Sequence, residues 1–153
     1  MEEIQTNMQK YYNYKDQMDR LKKALREGFY LESIFIEYAV IEDRLESILR
    51  HAGKWNPDAK RFPTITKKIG TVAALAESAP AKRYFSPELL EKITVWKDRR
   101  NPLIHALLKQ SLQPQELESI AQEGNLIVKE LCSKTTSYKR ALEREAAKKT
   151  SGK

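Results

Sequence analysis

Apolar residues recur every three or four positions along most of this chain, and that spacing is typical of one face of an α-helix. In the first segment, the apolar positions are Ile4, Met8, Tyr11, Tyr14, Met18, Leu21 and Leu25. In the second segment, they are Leu31, Ile34, Tyr38, Ile41, Leu45, Ile48 and Ala52, widened by Phe35, Ile36 and Val40. We therefore expect a first helix over residues 4–25, and a central second helix that ends at Gly53 and is covered on more than one side.

Capping residues and prolines delimit the elements that follow. Residues 54–63 carry two prolines and predict a loop, after which Thr64 or Thr66 can cap a third helix that runs to about residue 76. Ser86 is followed by a proline and a glutamate, which together form a start signal for a fourth helix. These signals place two further helices before residue 100.

Prolines also shape the second half of the chain. A proline inside a helix lacks a backbone donor and disfavours helical geometry in the residue before it. The pair Asn101-Pro102 therefore predicts that the fourth helix breaks or kinks there, and residues 102–109 can restart as a short fifth helix. Pro114 opens the last helix, in which Gly124 permits close approach to a neighbour. The apolar face of that helix is Leu117, Ile120, Ile127 and Leu131.

No segment alternates apolar and polar residues as a half-buried strand would. From residue 139 onward the chain loses most of its apolar residues, and we expect a fraying helix end or disorder there. The predicted fold is a single-domain, all-α antiparallel bundle of four to six helices. The helical domain spans residues 1–140, and residues 141–153 form a basic C-terminal tail.

Net charge and cysteine content limit the classes of partner and site that the chain can have. The chain has 153 residues, with 28 Lys and Arg against 21 Asp and Glu, and the resulting charge of +7 favours an anionic partner without proving one. The single cysteine, Cys132, excludes an internal disulfide and a cysteine-based metal cage. The first residues do not resemble a signal peptide, and no run of eighteen apolar residues occurs, so we expect a cytoplasmic protein without membrane association.

One short stretch, RRNPLIHALL at residues 99–108, concentrates side chains suited to phosphate chemistry. Arginine offers a planar charged fork for phosphate oxygens, and histidine can exchange a proton near neutral pH. A helix that starts at Pro102 would also direct backbone N–H groups at the same place. We therefore predict Arg100 and His105 as catalytic residues, with Asn101 capping that helix or orienting the histidine, and with no metal or cofactor. Walker, GxSxG, HExxH and paired-carboxylate motifs are absent from the sequence.

The order Arg100, Asn101, three residues and His105 resembles the motif of the HEPN superfamily, in which a polar residue often follows the arginine. Proteins of that superfamily are small helical bundles that carry the motif near the start of a late helix. Their active members are metal-independent ribonucleases of toxin–antitoxin, abortive-infection and CRISPR systems, and they act as dimers with two motifs in one cleft. The resemblance spans roughly residues 1–140. It implies RNA as substrate, a homodimer, and a possible cognate antitoxin or regulatory protein as partner.

Several details leave alternatives open. Leu107 stands where members paired with a nucleotidyltransferase antitoxin commonly have a tyrosine, which weakens that assignment. Arg99 is also within motif distance of His105, but only Arg100 is followed by a polar residue, so we predict Arg99 as a substrate-binding phosphate clamp. A non-catalytic helical module that binds a nucleotide, a nucleic acid or a protein is the alternative function, and a purely structural dimer is the third.

Other candidate residues have simpler interpretations. Arg44 and His51 also fit the loose motif spacing, but both lie within the second helix, and we interpret them as surface charges at a helix end. Glu37 could reach Arg100, yet a charge beside a helix seam is usually solvated. The tyrosines at positions 11, 12 and 14 resemble a base-stacking surface, but at helical spacing they more often belong to a core and its rim. Cys132 is expected to be a buried packing residue.

Overall fold

The computed structural model describes residues 7–55, 63–109 and 112–152, and every regular element within those ranges is helical. The elements are α1 (Asn7–Glu27), α2 (Tyr30–His51), α3 (Ile65–Leu75), a 3-10 turn (Ala81–Arg83), α4 (Pro87–Ala106) and α5 (Pro114–Ser151). The predicted all-α bundle is thereby confirmed. The first residues of the predicted first helix, and most of the predicted loop before α3, lie outside the described residues.

Helix α2 is the central element of the bundle. It packs against α1, α3 and α5, and α4 closes the bundle by packing against α3 and α5. Ile41, Leu45 and Ile48 have no exposed surface, as the wide apolar face of this segment predicts. Trp96 of α4 is also fully buried, and its indole N–H donates to the carbonyl of Ile120 in α5 at 2.9 Å. Trp96, one of the largest buried side chains, thus joins α4 to α5.

The predicted helix starts are confirmed by their capping hydrogen bonds. Thr64, rather than Thr66, caps α3 by accepting from the backbone N–H of Lys67 at 3.2 Å. The hydroxyl of Ser86 accepts from the N–H of Leu89 at 3.2 Å and caps α4. Each hydroxyl satisfies a backbone donor that has no partner within its own helix.

Helix α4 continues through Pro102 to Ala106, so the predicted break at Asn101 and the separate fifth helix over residues 102–109 are wrong, whereas a kink, the other predicted effect of Pro102, stays a prediction. A proline at this position removes one helical hydrogen bond, the one its own N–H would have donated to the carbonyl of Asp98. Leu103 is buried in the hydrophobic core, and that packing holds the chain beyond the proline. Because α4 has no new N-terminus at Pro102, Asn101 cannot cap a helix there and no first-turn N–H groups are available to a phosphate.

Helix α5 has 38 residues and continues into the predicted tail. Ala141 is buried and Leu142 packs against the core, whereas the residues from 143 onward are exposed. Residues 141–151 are therefore a helix end that leaves the body of the bundle. Lys148 and Lys149 lie in its last turn, where positive charge interacts favourably with the helix dipole.

Candidate functional site on α4

Arg100 leans against helix α2. Its guanidinium carbon lies 3.7 Å from the ring centroid of Tyr38, a cation–π contact at close range. Its Nη1 also donates to Oδ1 of Asn101 at 3.4 Å, at the long limit of a hydrogen bond. The side chain is half-buried, so the aromatic face of Tyr38 and the neighbouring amide fix its direction.

A shallow cleft of about 650 Å³ opens beside the last two turns of α4. Its lining consists of Asp98, Asn101, Pro102, His105, Ala106 and Lys109. His105 is exposed and stands four residues after Asn101, so both side chains lie on one face of the helix. The cleft thus brings together an imidazole, an amide, a carboxylate and an ammonium group.

The predicted catalytic pair does not meet within one chain. Successive residues of an α-helix are about 100° apart around its axis, which separates Arg100 and His105 by about 140°. Arg100 faces α2, His105 faces the cleft, and Asn101 lies between them. The prediction from sequence placed them together because it assumed a break at Pro102. Asn101 contacts Arg100 and lines the same cleft as His105.

Arg99 points in a third direction, toward α5. It forms an ion pair with Glu123, and its Nη2 donates to the hydroxyl of Ser119 at 3.4 Å. It does not belong to the lining of the α4 cleft. Its predicted role as a phosphate clamp would therefore require the guanidinium to exchange Glu123 for a phosphate.

Glu37 is a functional-site candidate that sequence reasoning assigned wrongly, because its carboxyl group is fully buried rather than solvated. Neither carboxyl oxygen has a hydrogen-bond partner, and no ion pair joins it to Arg100 among the described residues. It lies against Trp96 and Gly124 at the crossing of α2, α4 and α5. Burial raises the pKa of Glu37 to about 9, so the group is protonated at neutral pH. Its position between Ile34 and Ile41 on the apolar stripe was the available signal.

A buried lysine joins α2 and α3 and was also missed from the sequence. The Nζ of Lys68 lies 2.8 Å from Oε1 of Glu42 and 3.7 Å from Oε2 of Glu46, while 5.5 Å separates it from the ring centroid of Trp55. Lysine is rarely buried unless it is paired, and here two carboxylates and an aromatic face compensate its charge. We assign this cluster to the structure of the bundle, since it lies outside the α4 cleft.

A second and larger depression, of about 960 Å³, runs between α1 and α2; we call it the α1–α2 groove. Arg44 and His51, about two helical turns apart, both line it, and so does Lys139 of α5. The pKa of His51 is lowered, first by burial and then by the positive charges of Lys139 and Arg44. His51 is exposed at the end of α2, as their interpretation as surface charges at a helix end predicts, and both residues line one depression.

The tyrosine cluster of α1 divides between core and surface. Tyr14 packs against the core, and its hydroxyl lies 2.8 Å from Sγ of Cys132, a partly buried residue of α5. Tyr11 and Tyr12 are 61% and 59% exposed and meet edge to face with ring centroids 5.7 Å apart. The expectation of a core and its rim therefore holds for Tyr14, whereas the other two rings lie open to solvent.

Comparison of the chain with protein-family models, with curated proteins and with solved structures finds no match. The resemblance to the HEPN superfamily therefore rests on Arg100, Asn101 and His105 and on the helical fold. Among the described residues, no three or more His, Cys, Asp or Glu side chains form a group that could hold a metal ion. Within the same ranges, no helix combines the length and the apolar composition that crossing a membrane requires.

Proposed function

We propose that this protein is a metal-independent endoribonuclease of the HEPN type, acting on RNA with the α4 cleft as its active site. One observation carries the proposal: Asn101 accepts a hydrogen bond from the guanidinium of Arg100 and lines the same cleft as His105. Asn101 is therefore the one motif residue that contacts Arg100 and also shares a cleft with His105. The net charge of +7 suits a polyanionic substrate.

In the proposed reaction, neutral His105 takes the proton of a ribose 2′-OH. The 2′-oxygen attacks the adjacent phosphorus, and the bond from phosphorus to the 5′-oxygen breaks. Arg100 stabilises the negative charge that grows on the phosphate oxygens, while Asn101 holds the histidine or the substrate. The departing 5′-oxygen takes up a proton from water, His105 returns its proton to solvent, and the products are a 2′,3′-cyclic phosphate and a 5′-OH. DNA lacks the 2′-OH and is not a substrate.

The proposal includes a homodimer. Since Arg100 and His105 of one chain face different sides of α4, a second copy across a two-fold axis would supply the groups that one chain does not direct into its own cleft. A toxin–antitoxin or phage-defence role in the cytoplasm, with an antitoxin or regulatory protein as partner, would follow from membership of that superfamily.

A second candidate is a non-catalytic module that binds a nucleotide, a nucleic acid or a protein. The contact between Arg100 and Tyr38 favours it, because a guanidinium held against an aromatic ring already has a structural role. In that case His105 and Asn101 would contact a ligand without transferring a proton.

Cleavage of single-stranded RNA in EDTA separates the two candidates. We expect the wild-type protein to cut RNA but not DNA of the same sequence, and His105→Ala to lose about 10²- to 10⁴-fold in rate, because a general base contributes that much. His51→Ala, measured at saturating RNA, is the matched control for the chemical step, since it removes the other histidine and leaves the α4 cleft intact. Full activity of His105→Ala would refute the mechanism, and no cleavage by the wild type would favour the non-catalytic module.

A further inference from the structure

The α1–α2 groove combines two features, which are open aromatic rings and positive charges without an ion-pair partner among the described residues. Phe35 of α2 and Tyr11 of α1 line it and are 70% and 61% exposed, so both rings are available to a ligand. Exposed apolar surface that is rimmed by polar residues can mark a ligand-binding groove. Both rings also have the flat faces on which nucleobases stack.

The cations of the groove outnumber its carboxylates. Lys10, Arg44, Arg50 and Lys139 line it, against Asp43 and Glu46. The two arginines are paired with those two carboxylates. Lys10 and Lys139 have no ion-pair partner among the described residues, and they come from different helices, α1 and α5. An anionic ligand would therefore meet two uncompensated ammonium groups.

The wall of the groove is held in place before any ligand arrives. Tyr14 connects α1 to α5 through its contact with Cys132, and the guanidinium of Arg44 lies 4.9 Å from the centroid of the Tyr14 ring. Three helices thus meet at one tyrosine. A site built on fixed side chains loses less entropy on binding than one that must be ordered by its ligand.

We propose that the α1–α2 groove is a second binding site for single-stranded RNA, separate from the α4 cleft, in which bases stack on Tyr11 and Phe35 and phosphates contact Lys10 and Lys139. This inference rests on the proposed function for the identity of the nucleic acid. Self-association through the groove is disfavoured, because a two-fold axis would set one positively charged lining against its copy. The groove captures the substrate and adds affinity to that of the cleft.

The test is the binding of a fluorescently labelled single-stranded RNA, followed by anisotropy across a salt series, in a His105→Ala background that prevents cleavage. Tyr11→Ala and Phe35→Ala should each weaken binding by about 5- to 100-fold, because stacking of one base contributes that much. Leu126→Ala, which removes an equally exposed apolar side chain from α5, should bind normally.

The contribution of the groove's lysines to RNA binding is tested with two double variants that have the same net charge. Lys10→Gln with Lys139→Gln should reduce the slope of log affinity against log salt by about 1.4, or about 0.7 for each phosphate released. Lys15→Gln with Lys129→Gln removes two exposed lysines of the same helices that do not line the groove, and it should keep the wild-type slope. Equal losses in both double variants would overturn the proposal, because the effect would then be one of net charge.

The outcomes separate this site from the proposed ribonuclease. RNA cleavage with normal binding by all groove variants would refute the groove and leave the α4 cleft standing. Groove-dependent binding without cleavage by the wild type would refute the ribonuclease and leave the groove. A change from dimer to monomer in Tyr11→Ala, measured by light scattering, would show that the groove binds a second copy of the chain instead.

Discussion

Glu37 places an ionisable group where water cannot reach it. A carboxyl group in an apolar site is disfavoured as the charged form, so the folded protein binds the proton more tightly than the unfolded chain does. With a folded pKa of about 9 against an ordinary value of 4.5, the contribution to stability is complete below about pH 4.5. It is lost progressively as the pH rises toward about 9, because folding then requires the uptake of a proton.

Glu37→Gln should remove that pH dependence, because glutamine has a similar shape and does not ionise. We expect the difference in free energy of unfolding between the variant and the wild type, measured by urea denaturation, to change with pH. It should be more favourable to the variant at pH 9 than at pH 5, by at least about 1 kcal/mol. Glu91→Gln, at an exposed position of α4, is the control and should follow the wild type. If Glu37→Gln instead ran parallel to the wild type over this range, the carboxyl group would have to be ionised in the folded state.

At the level of elements, Gly124 determines how closely α5 approaches α2 and α4. A Cβ at this position would lie 2.8 Å from Cζ2 of Trp96 and would also collide with the carboxyl group of Glu37. Gly124→Ala should therefore destabilise the protein by about 1 to 3 kcal/mol, although alanine is the better helix former. Denaturant titration of purified variants measures the difference.

Gly70→Ala is the matched control for that substitution. Gly70 lies inside α3 with open space around a Cβ, so the same change should stabilise the protein by about 0.5 to 1 kcal/mol. Opposite signs of the stability change in the two variants would distinguish the effect of close packing from that of helix propensity. Equal stabilisation of both variants would show that the three helices do not approach as closely as described.

The helices were predictable because each buries a periodic stripe, and because threonine, serine and proline mark their starts. The continuity of α4 was not predictable from the sequence. The cost of Pro102 is local and can be read from the sequence, whereas the burial of Leu103 depends on residues that are distant in sequence. The candidate site depends on the same question of whether α4 continues past Pro102. The sequence identifies Arg100 and His105, but the angle between them depends on whether the helical turn continues. The partner of Arg99, Glu123, lies in a different helix.

At the scale of the whole molecule, two exposed apolar residues follow α4, between the cleft-lining residues Ala106 and Lys109. Leu108 is 97% exposed and Leu107 is 46% exposed, and both follow His105 closely. If the proposed homodimer forms with its two-fold axis at this cleft, these side chains would be covered by the second copy. Burial of one leucine contributes about 1.5 to 3 kcal/mol, so a charge there would weaken the interface strongly.

Leu108→Asp should therefore convert a dimer at micromolar concentration into a monomer and abolish cleavage, as measured by light scattering and by the RNA assay. Leu126→Asp changes a 67% exposed leucine on α5 and should leave the dimer intact. A wild-type monomer would argue against the dimer, and a dimer that survives Leu108→Asp would place its axis elsewhere.

Pro102 also determines where α4 is easiest to open. The turn from Asp98 to Pro102 lacks one of its backbone hydrogen bonds, so the end of α4 beyond it, which carries His105, separates from the bundle at a lower free energy than the turns around Trp96. Unwinding of that turn would rotate the imidazole relative to Arg100 while the core stays folded. Arg100 and His105 would then face the same substrate only in a minor conformer. The apparent affinity for RNA would be reduced in proportion to the small population of that conformer.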